Sequence, residues 1–241
     1  MIRMLQQELA GNRLIDSNVI SSWRFEDNVV DSVGSNSGTF NASNGYADGL
    51  IGRELDLFNN SGSYVNIPHN NNLSFTDGVN DLPFTFTTLI RRSNTVGTQF
   101  IIWKGLGATD REYRFFLIDG KVEVRLMNPT TSFLQKRTSN ALPISSNSHL
   151  TVSYDGGKTL EGLKIYINGV LATLSISSVT GTYTGMVNSG EDLTIGSRTD
   201  APLINRFIGS LDETKFWSIE LTPDEILELS TSELNGIRLV G

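Results

Sequence analysis

Short runs of alternating apolar and polar residues, cut by turn dipeptides, constrain this chain more than any other feature. Phe84, Phe86, Thr88 and Ile90 share one face of an extended segment, and Leu163, Ile165 and Ile167 share one face of another, because successive side chains of a strand point to opposite sides. Asp119-Gly120, Asp155-Gly156-Gly157 and Asn168-Gly169 each stand between apolar runs. Such dipeptides supply the positive φ angles that tight hairpins need, so three hairpins are expected. Further strands are expected at 19–25, 63–67, 98–104, 112–118, 122–127, 149–154, 193–195 and 206–217. One short helix is expected near the end, where Thr222-Pro223-Asp224-Glu225 places an N-cap, a first-turn proline and a capping-box glutamate ahead of Ile226, Leu227 and Leu229. About a dozen strands in one open sheet cannot bury both faces. The expected fold is therefore all-β, a two-sheet antiparallel β-sandwich of the jelly-roll kind.

Composition narrows the function. With 19 basic against 26 acidic side chains the net charge is −7, which argues against a nucleic-acid binder. There is no cysteine, so disulfides, thiolate metal sites and thiol nucleophiles are excluded. No stretch approaches the roughly 20 apolar residues that span a bilayer, and the first ten residues lack the apolar run of a signal peptide. Membrane insertion is not expected, and export would need another route, such as release of an assembled particle on lysis. Residues 1–17 differ from the rest: Ile2, Leu5 and Leu9 form a near-helical stripe that Gly11-Asn12 breaks. They read as an N-terminal arm, either a frayed terminus or an assembly contact to a protein partner or to further copies of the chain. Residues 18–241 read as one domain.

The chemistry of catalysis is thin. The only histidines are His69 and His149, no G-x-S-x-G elbow occurs, and Gly105-Leu106-Gly107 does not continue into a phosphate loop. Two scattered histidines do not make a zinc site, and His69 reads as a turn residue.

Four stretches carry a family resemblance. They are Trp23-Arg24-Phe25-Glu26-Asp27 with Asp31-Ser32-Val33-Gly34; Gly52-Arg53-Glu54-Leu55-Asp56-Leu57 ahead of Ser63-Tyr64-Val65-Asn66-Ile67-Pro68; Leu163-Lys164-Ile165-Tyr166-Ile167-Asn168-Gly169; and Ile208-Gly209-Ser210-Leu211-Asp212-Glu213 with Phe216-Trp217 and Leu221-Thr222-Pro223-Asp224-Glu225-Ile226. In this order, over roughly residues 19–230, they resemble the laminin-G-like branch of the concanavalin A-like lectin and glucanase superfamily. The resemblance implies the sandwich fold and places Trp23, Phe84, Phe86, Phe216 and Trp217 in the fill between the sheets. It leaves function open among lectins, hydrolases and adhesive modules.

Hydrolases of that superfamily carry E-x-D-x-E on one strand, and this chain has no such motif. The nearest match, Glu54-Leu55-Asp56-Leu57-Phe58, lacks the third acid, and both acids read as solvent-facing. Glu112 and Glu123, on the strands of one expected hairpin, can face each other, but read as surface acids with Arg111, Arg114 and Arg125 as salt partners. The resemblance also implies a structural calcium, held by Glu26 or Asp27 with Asp212 and backbone oxygens; the alternative is that Asp212 only bonds nearby amides. Sugar recognition by ring stacking and hydroxyl bonding points to Trp103, Tyr113 and Arg125 on central strands, with loop tips at 70–72 and 180–184 as alternatives. The function expected is a non-catalytic module that binds glycan or a glycosylated surface and is mounted on a larger assembly, extracellular or on a virion. The rival readings are a decoration or fibre subunit of a viral particle, and a glycosidase.

Overall fold

The computed structural model describes residues 17–42, 45–58, 63–94, 96–107, 110–128, 131–198 and 205–239. The arm expected over 1–17 thus lies, except for Ser17, outside the described residues. Strands β1 (Val19–Trp23), β2 (Thr39–Phe40), β3 (Tyr46–Asp48), β4 (Arg53–Asp56) and β5 (Val65–Ile67) come first. A 3-10 turn at Asn71–Leu73 leads to β6 (Phe84–Arg92), β7 (Thr98–Leu106), β8 (Asp110–Ile118), β9 (Lys121–Met127), β10 (Phe133–Ala141) and β11 (Ser148–Tyr154). Then follow β12 (Leu163–Ile167), β13 (Val170–Leu171), β14 (Leu174–Thr180), β15 (Leu193–Ile195), β16 (Gly209–Trp217) and helix α1 (Pro223–Leu234).

Two antiparallel sheets form the sandwich. The first runs β13-β12-β11-β6-β16-β4-β3, with β1 also paired to β16; the second runs β14-β10-β9-β8-β7-β15-β5-β2. The hairpin signals explain much of this order. Asp119 (φ 50°) with Gly120 (φ 78°) turns β8 into β9, and Asn168 (φ 52°) with Gly169 (φ 77°) turns β12 into β13, both with the paired positive φ values of a type I′ turn. The third hairpin forms too, but β11 reaches β12 through a longer connection over 155–162. The sequence did not mark β10 and β14.

Between the sheets, Phe75, Phe84, Phe86, Tyr113, Phe115 and Phe216 form one aromatic cluster, with Phe75 and Phe84 stacked at 4.5 Å. Trp23 is buried beside Phe216 and donates its indole N–H to the Asn36 carbonyl at 2.8 Å. Trp217 differs from expectation: the last residue of β16 faces away from this core and packs with Val19, Tyr166, Leu221, Ile226 and Leu229 under α1. Helix α1 carries the expected capping box, with Thr222 and Glu225 bonding reciprocally. It closes the outer side of the first sheet.

A buried ionic chain runs beneath that helix. His149 Nε2 lies 3.2 Å from Glu233, whose carboxylate pairs with Lys215 Nζ at 2.8 Å; Lys215 pairs with Glu213 at 2.7 Å. Glu213 then accepts from Arg238 Nε at 2.6 Å, and Arg238 reaches Glu26 at 2.7 Å. Glu54 also departs from expectation. It is buried and ion-paired with Arg91, while Asp56 is half-buried and accepts the Phe58 N–H at 2.9 Å. Glu54 thus ties β4 to β6 within the first sheet, and Asp56 holds the turn that follows β4.

Candidate ligand-binding face

The outer side of the second sheet is built from cross-strand rows. Trp103 on β7 stands opposite Arg114 on β8, Arg114 opposite Arg125 on β9, and Arg125 opposite Gln135 on β10. The neighbouring row is Phe100, Phe116, Glu123, Arg137 and Ile176. Alternation sends Tyr113, Phe115, Val124 and Leu126 to the core and the intervening residues outward. On β7, Phe100 and Trp103 are three apart, yet both face outward, because the register shifts between Phe100 and Ile102. An extra residue of this kind is what lets odd spacing share a face. Phe100, Trp103 and Phe116 thereby form a small cluster separate from the main core.

Arginines cover these rings. The guanidinium carbons of Arg111, Arg114 and Arg198 lie 5.5, 5.9 and 5.2 Å from the Trp103 ring centre. Arg114 and Arg125 lie 5.2 and 5.6 Å from Phe116, and Arg125 lies 4.6 Å from Phe133. Each is within cation–π range. The buried carboxylate of Glu123 accepts from Arg125 Nε at 2.7 Å and Gln135 Nε2 at 2.8 Å, and pairs with Arg137. Arg114 is different: its Nε is buried without a hydrogen-bond partner. Burial, and then the charges of Arg125 and Arg111, push its pKa down to about 9. A chain of net charge −7 thus concentrates positive charge on one sheet face.

Of the three residues expected to meet a sugar, two lie on this face. Trp103 and Arg125 share the face, separated only by Arg114. Tyr113 does not join them: it is wholly buried, lies 5.5 Å from Phe115, and donates its hydroxyl to the Leu73 carbonyl at 2.8 Å. Strand parity is the reason, since a residue adjacent to Arg114 on β8 must point the other way. Trp103 is also nearly inaccessible, its indole N–H held by the Gly105 carbonyl at 2.6 Å and its ring under guanidiniums. Arg114, Phe116, Phe133, Gln135 and Arg137 were not singled out as ligand residues. The parity of β8 turns the first two to the outer side once Tyr113 is assigned inward; Gln135 and Arg137 lie on the unmarked β10.

Glu112 and Glu123 are not surface acids. Glu112 sits where β8 slips register against β7, fully buried, accepting from Phe75 N–H and Ser74 Oγ at 3.0 Å each, with Lys104 Nζ at 3.9 Å. Burial pushes its pKa up. Glu112 is thus committed to the loop around Phe75 and Glu123 to the arginines of the outer face. His69, after β5, lies 3.2 Å from Lys104 Nζ.

Of the carboxylates offered for calcium, Glu26 and Asp27 pair with arginine, whereas Asp212 does not and its Oδ2 is buried without a hydrogen-bond partner. Glu26 Oε2 accepts the Arg53 N–H at 3.0 Å and Oε1 pairs with Arg238, while Asp27 pairs with the Arg53 side chain at 3.0 Å. Asp212 accepts the Glu213 N–H at 2.8 Å; burial, then Glu213, push its pKa up to about 8. Among the described residues no three His, Asp or Glu side chains cluster as a metal site made of side chains alone would need. Glu26 and Asp27 would have to give up these arginine partners to hold a calcium ion.

Comparison with known proteins follows the fold. A laminin-G-type family model, described as concanavalin A-like lectin/glucanases superfamily, matches residues 59–227. No curated protein matches significantly in sequence. Among solved structures, domain 4 of AbnA, a GH43 extracellular arabinanase from Geobacillus stearothermophilus in complex with arabinotriose, is 20% identical, with TM-score 0.64 over 88% of this chain and 98% of that one. The binding domain of Paraclostridial Mosquitocidal Protein 1 is 18% identical, with TM-score 0.67 over 92% of this chain and 55% of that one. The binding domain of Botulinum Neurotoxin DC in complex with SialylT is 15% identical, with TM-score 0.63 over 92% and 52%. The chain thus spans about half of those toxin structures. The two-layer antiparallel fold and a family match over most of the chain lead to one assignment: the protein belongs to the concanavalin A-like lectin/glucanases superfamily, in its laminin-G-type branch.

Proposed function

We propose that the protein is a non-catalytic recognition module that binds glycan on the outer face of its second sheet. The observation that carries this reading is the row Trp103, Arg114, Arg125 and Gln135, in which fork-shaped donors are held over aromatic rings on four adjacent strands. Rigid strands present such donors with fixed spacing, as hydroxyl recognition requires. The glycan complexes recorded for two structurally similar domains support the same reading. Because Trp103 is covered, the surface that meets the sugar is made of guanidinium and amide groups, with the rings as their support. The ion pairs of Glu26 and Asp27 with arginine support binding that does not require calcium.

A glycan-array screen, run with calcium and with chelator, tests this. Binding is expected in both conditions, with hydrogen-exchange protection of β8 and β9 on adding the glycan. Absence of any bound glycan, or protection confined to the loops at 70–72 and 180–184, overturns the assignment of this face.

A further inference from the structure

Resting on that glycan-binding reading, we infer that the sugar recognised carries an anionic group, a carboxylate or a sulfate, and that Arg114 receives it. Buried hydrogen-bond donors in folded proteins are nearly always paired, so an exception calls for an explanation. Arg114 is such an exception: its Nε is buried and unpartnered, and its side chain makes no ion pair with any described residue. Its guanidinium is held between Trp103 and Phe116, among Arg111, Arg125 and Arg198. The nearby carboxylate of Glu123 is already committed to Arg125, Arg137 and Gln135. Like charges brought this close in a half-buried setting repel; Glu123 offsets that repulsion only in part, without pairing with Arg114, and an incoming anion relieves the remainder. The planar fork of a guanidinium matches a carboxylate or sulfate oxygen pair.

The covering of the rings points the same way. A neutral sugar is commonly gripped by stacking its apolar face on an open aromatic ring, but here Trp103, Phe100 and Phe116 are buried under guanidiniums. What remains to discriminate ligands is charge and hydrogen bonding. Screening limits the reach of charge to about 8 Å at physiological salt, so the local patch, and not the overall charge of −7, decides what approaches it.

Affinity electrophoresis and calorimetry with three polymers test this: polygalacturonate, carrying carboxylates, dextran sulfate, carrying sulfates, and unsubstituted dextran. At least one acidic polymer is expected to bind while dextran does not, and the binding is expected to weaken steeply between 50 and 300 mM salt, about tenfold or more. Arg114→Gln is expected to weaken it by about tenfold, the loss of one charge-assisted pair, and Arg114→Lys by less. Removing Arg114 also removes like-charge repulsion, so the melting temperature of Arg114→Gln is expected to match or exceed that of the native chain. Which acidic polymer binds separates carboxylate from sulfate. Acidic binding undiminished in Arg114→Gln, or insensitive to salt in the native chain, overturns the inference. Neutral glycans that bind the array with salt-independent affinity overturn it while leaving the recognition reading intact; failure of every glycan overturns both.

Discussion

Asp31 shows how one buried carboxylate organises a loop. Its Oδ1 accepts the backbone N–H of Ser22, Val33 and Gly34, and its Oδ2 accepts that of Asn36, all within 3.1 Å. A side chain at Gly34 would place Cβ 2.3 Å from the Ile20 carbonyl oxygen, so the loop that Asp31 organises has room only for glycine there. Asp31→Ala strands four donors, and a loss of about 3 kcal/mol is expected, read from the urea midpoint; a loss under about 1 kcal/mol would mean water takes its place. The same scale shows what could be read of the ligand face. Trp103 and Arg125 stood out by residue type and central position. Tyr113 stood out equally, and its aromatic ring went to the core, because residue type does not state which side of a strand faces outward. The bulge between Phe100 and Ile102, which sets the parity for Trp103, leaves no mark in composition.

Among the elements, those with local signals were readable and those without were not. Helix α1 was, because its capping box and first-turn proline are contiguous. Strands β10 and β14 were not: Phe133-Leu134-Gln135-Lys136-Arg137 and Leu174-Ser175-Ile176-Ser177-Ser178 mix polar residues onto both faces, as suits strands at the sheet margin. Yet β10 delivers Gln135 and Arg137 to the face. The underside of α1 was equally hidden. Burial pushes the Lys215 ammonium toward neutrality, but Glu233 and Glu213 outweigh it and its pKa is raised. Lys215→Met removes the cation that the two carboxylates share, leaving Glu213 to Arg238 alone and Glu233 to His149. Breaking a buried pair from one side costs about 3–5 kcal/mol, and a loss of that size is expected in chemical denaturation, with faster hydrogen exchange in α1. Unchanged stability would show that the chain of charges does not tie the helix to the sheet.

For the whole molecule, buried acids set the dependence of stability on pH. In the unfolded chain Asp212 ionises near its ordinary 3.8, whereas in the folded protein burial and Glu213 hold its proton up to about 8. Between those values the folded state binds a proton the unfolded state lacks, so stability falls as pH rises across that window. Glu112 is shifted the same way by burial. Glu233 runs opposite. Burial favours its neutral form, but Lys215 and His149 outweigh this and hold its pKa below the ordinary 4.5. Its contribution is complete above the unfolded value and is lost as pH falls through the folded one. A stability maximum near pH 5 is expected, and Asp212→Asn, which keeps the acceptor for the Glu213 N–H, should flatten the decline toward pH 8 by about 1–2 kcal/mol. A native profile that rises from pH 5 to 8 would contradict this account. The amino-acid sequence alone determined the two-sheet class, the hairpin positions, the capped helix and the family likeness, because pleat, positive φ and capping act over a few neighbouring residues. Only the tertiary structure decided which side chains meet: Arg114 between Trp103 and Phe116, Trp217 under the helix, and Arg238 on Glu26 from 212 residues away. Such meetings depend on register, bulges and sheet order, which arise from packing between distant strands.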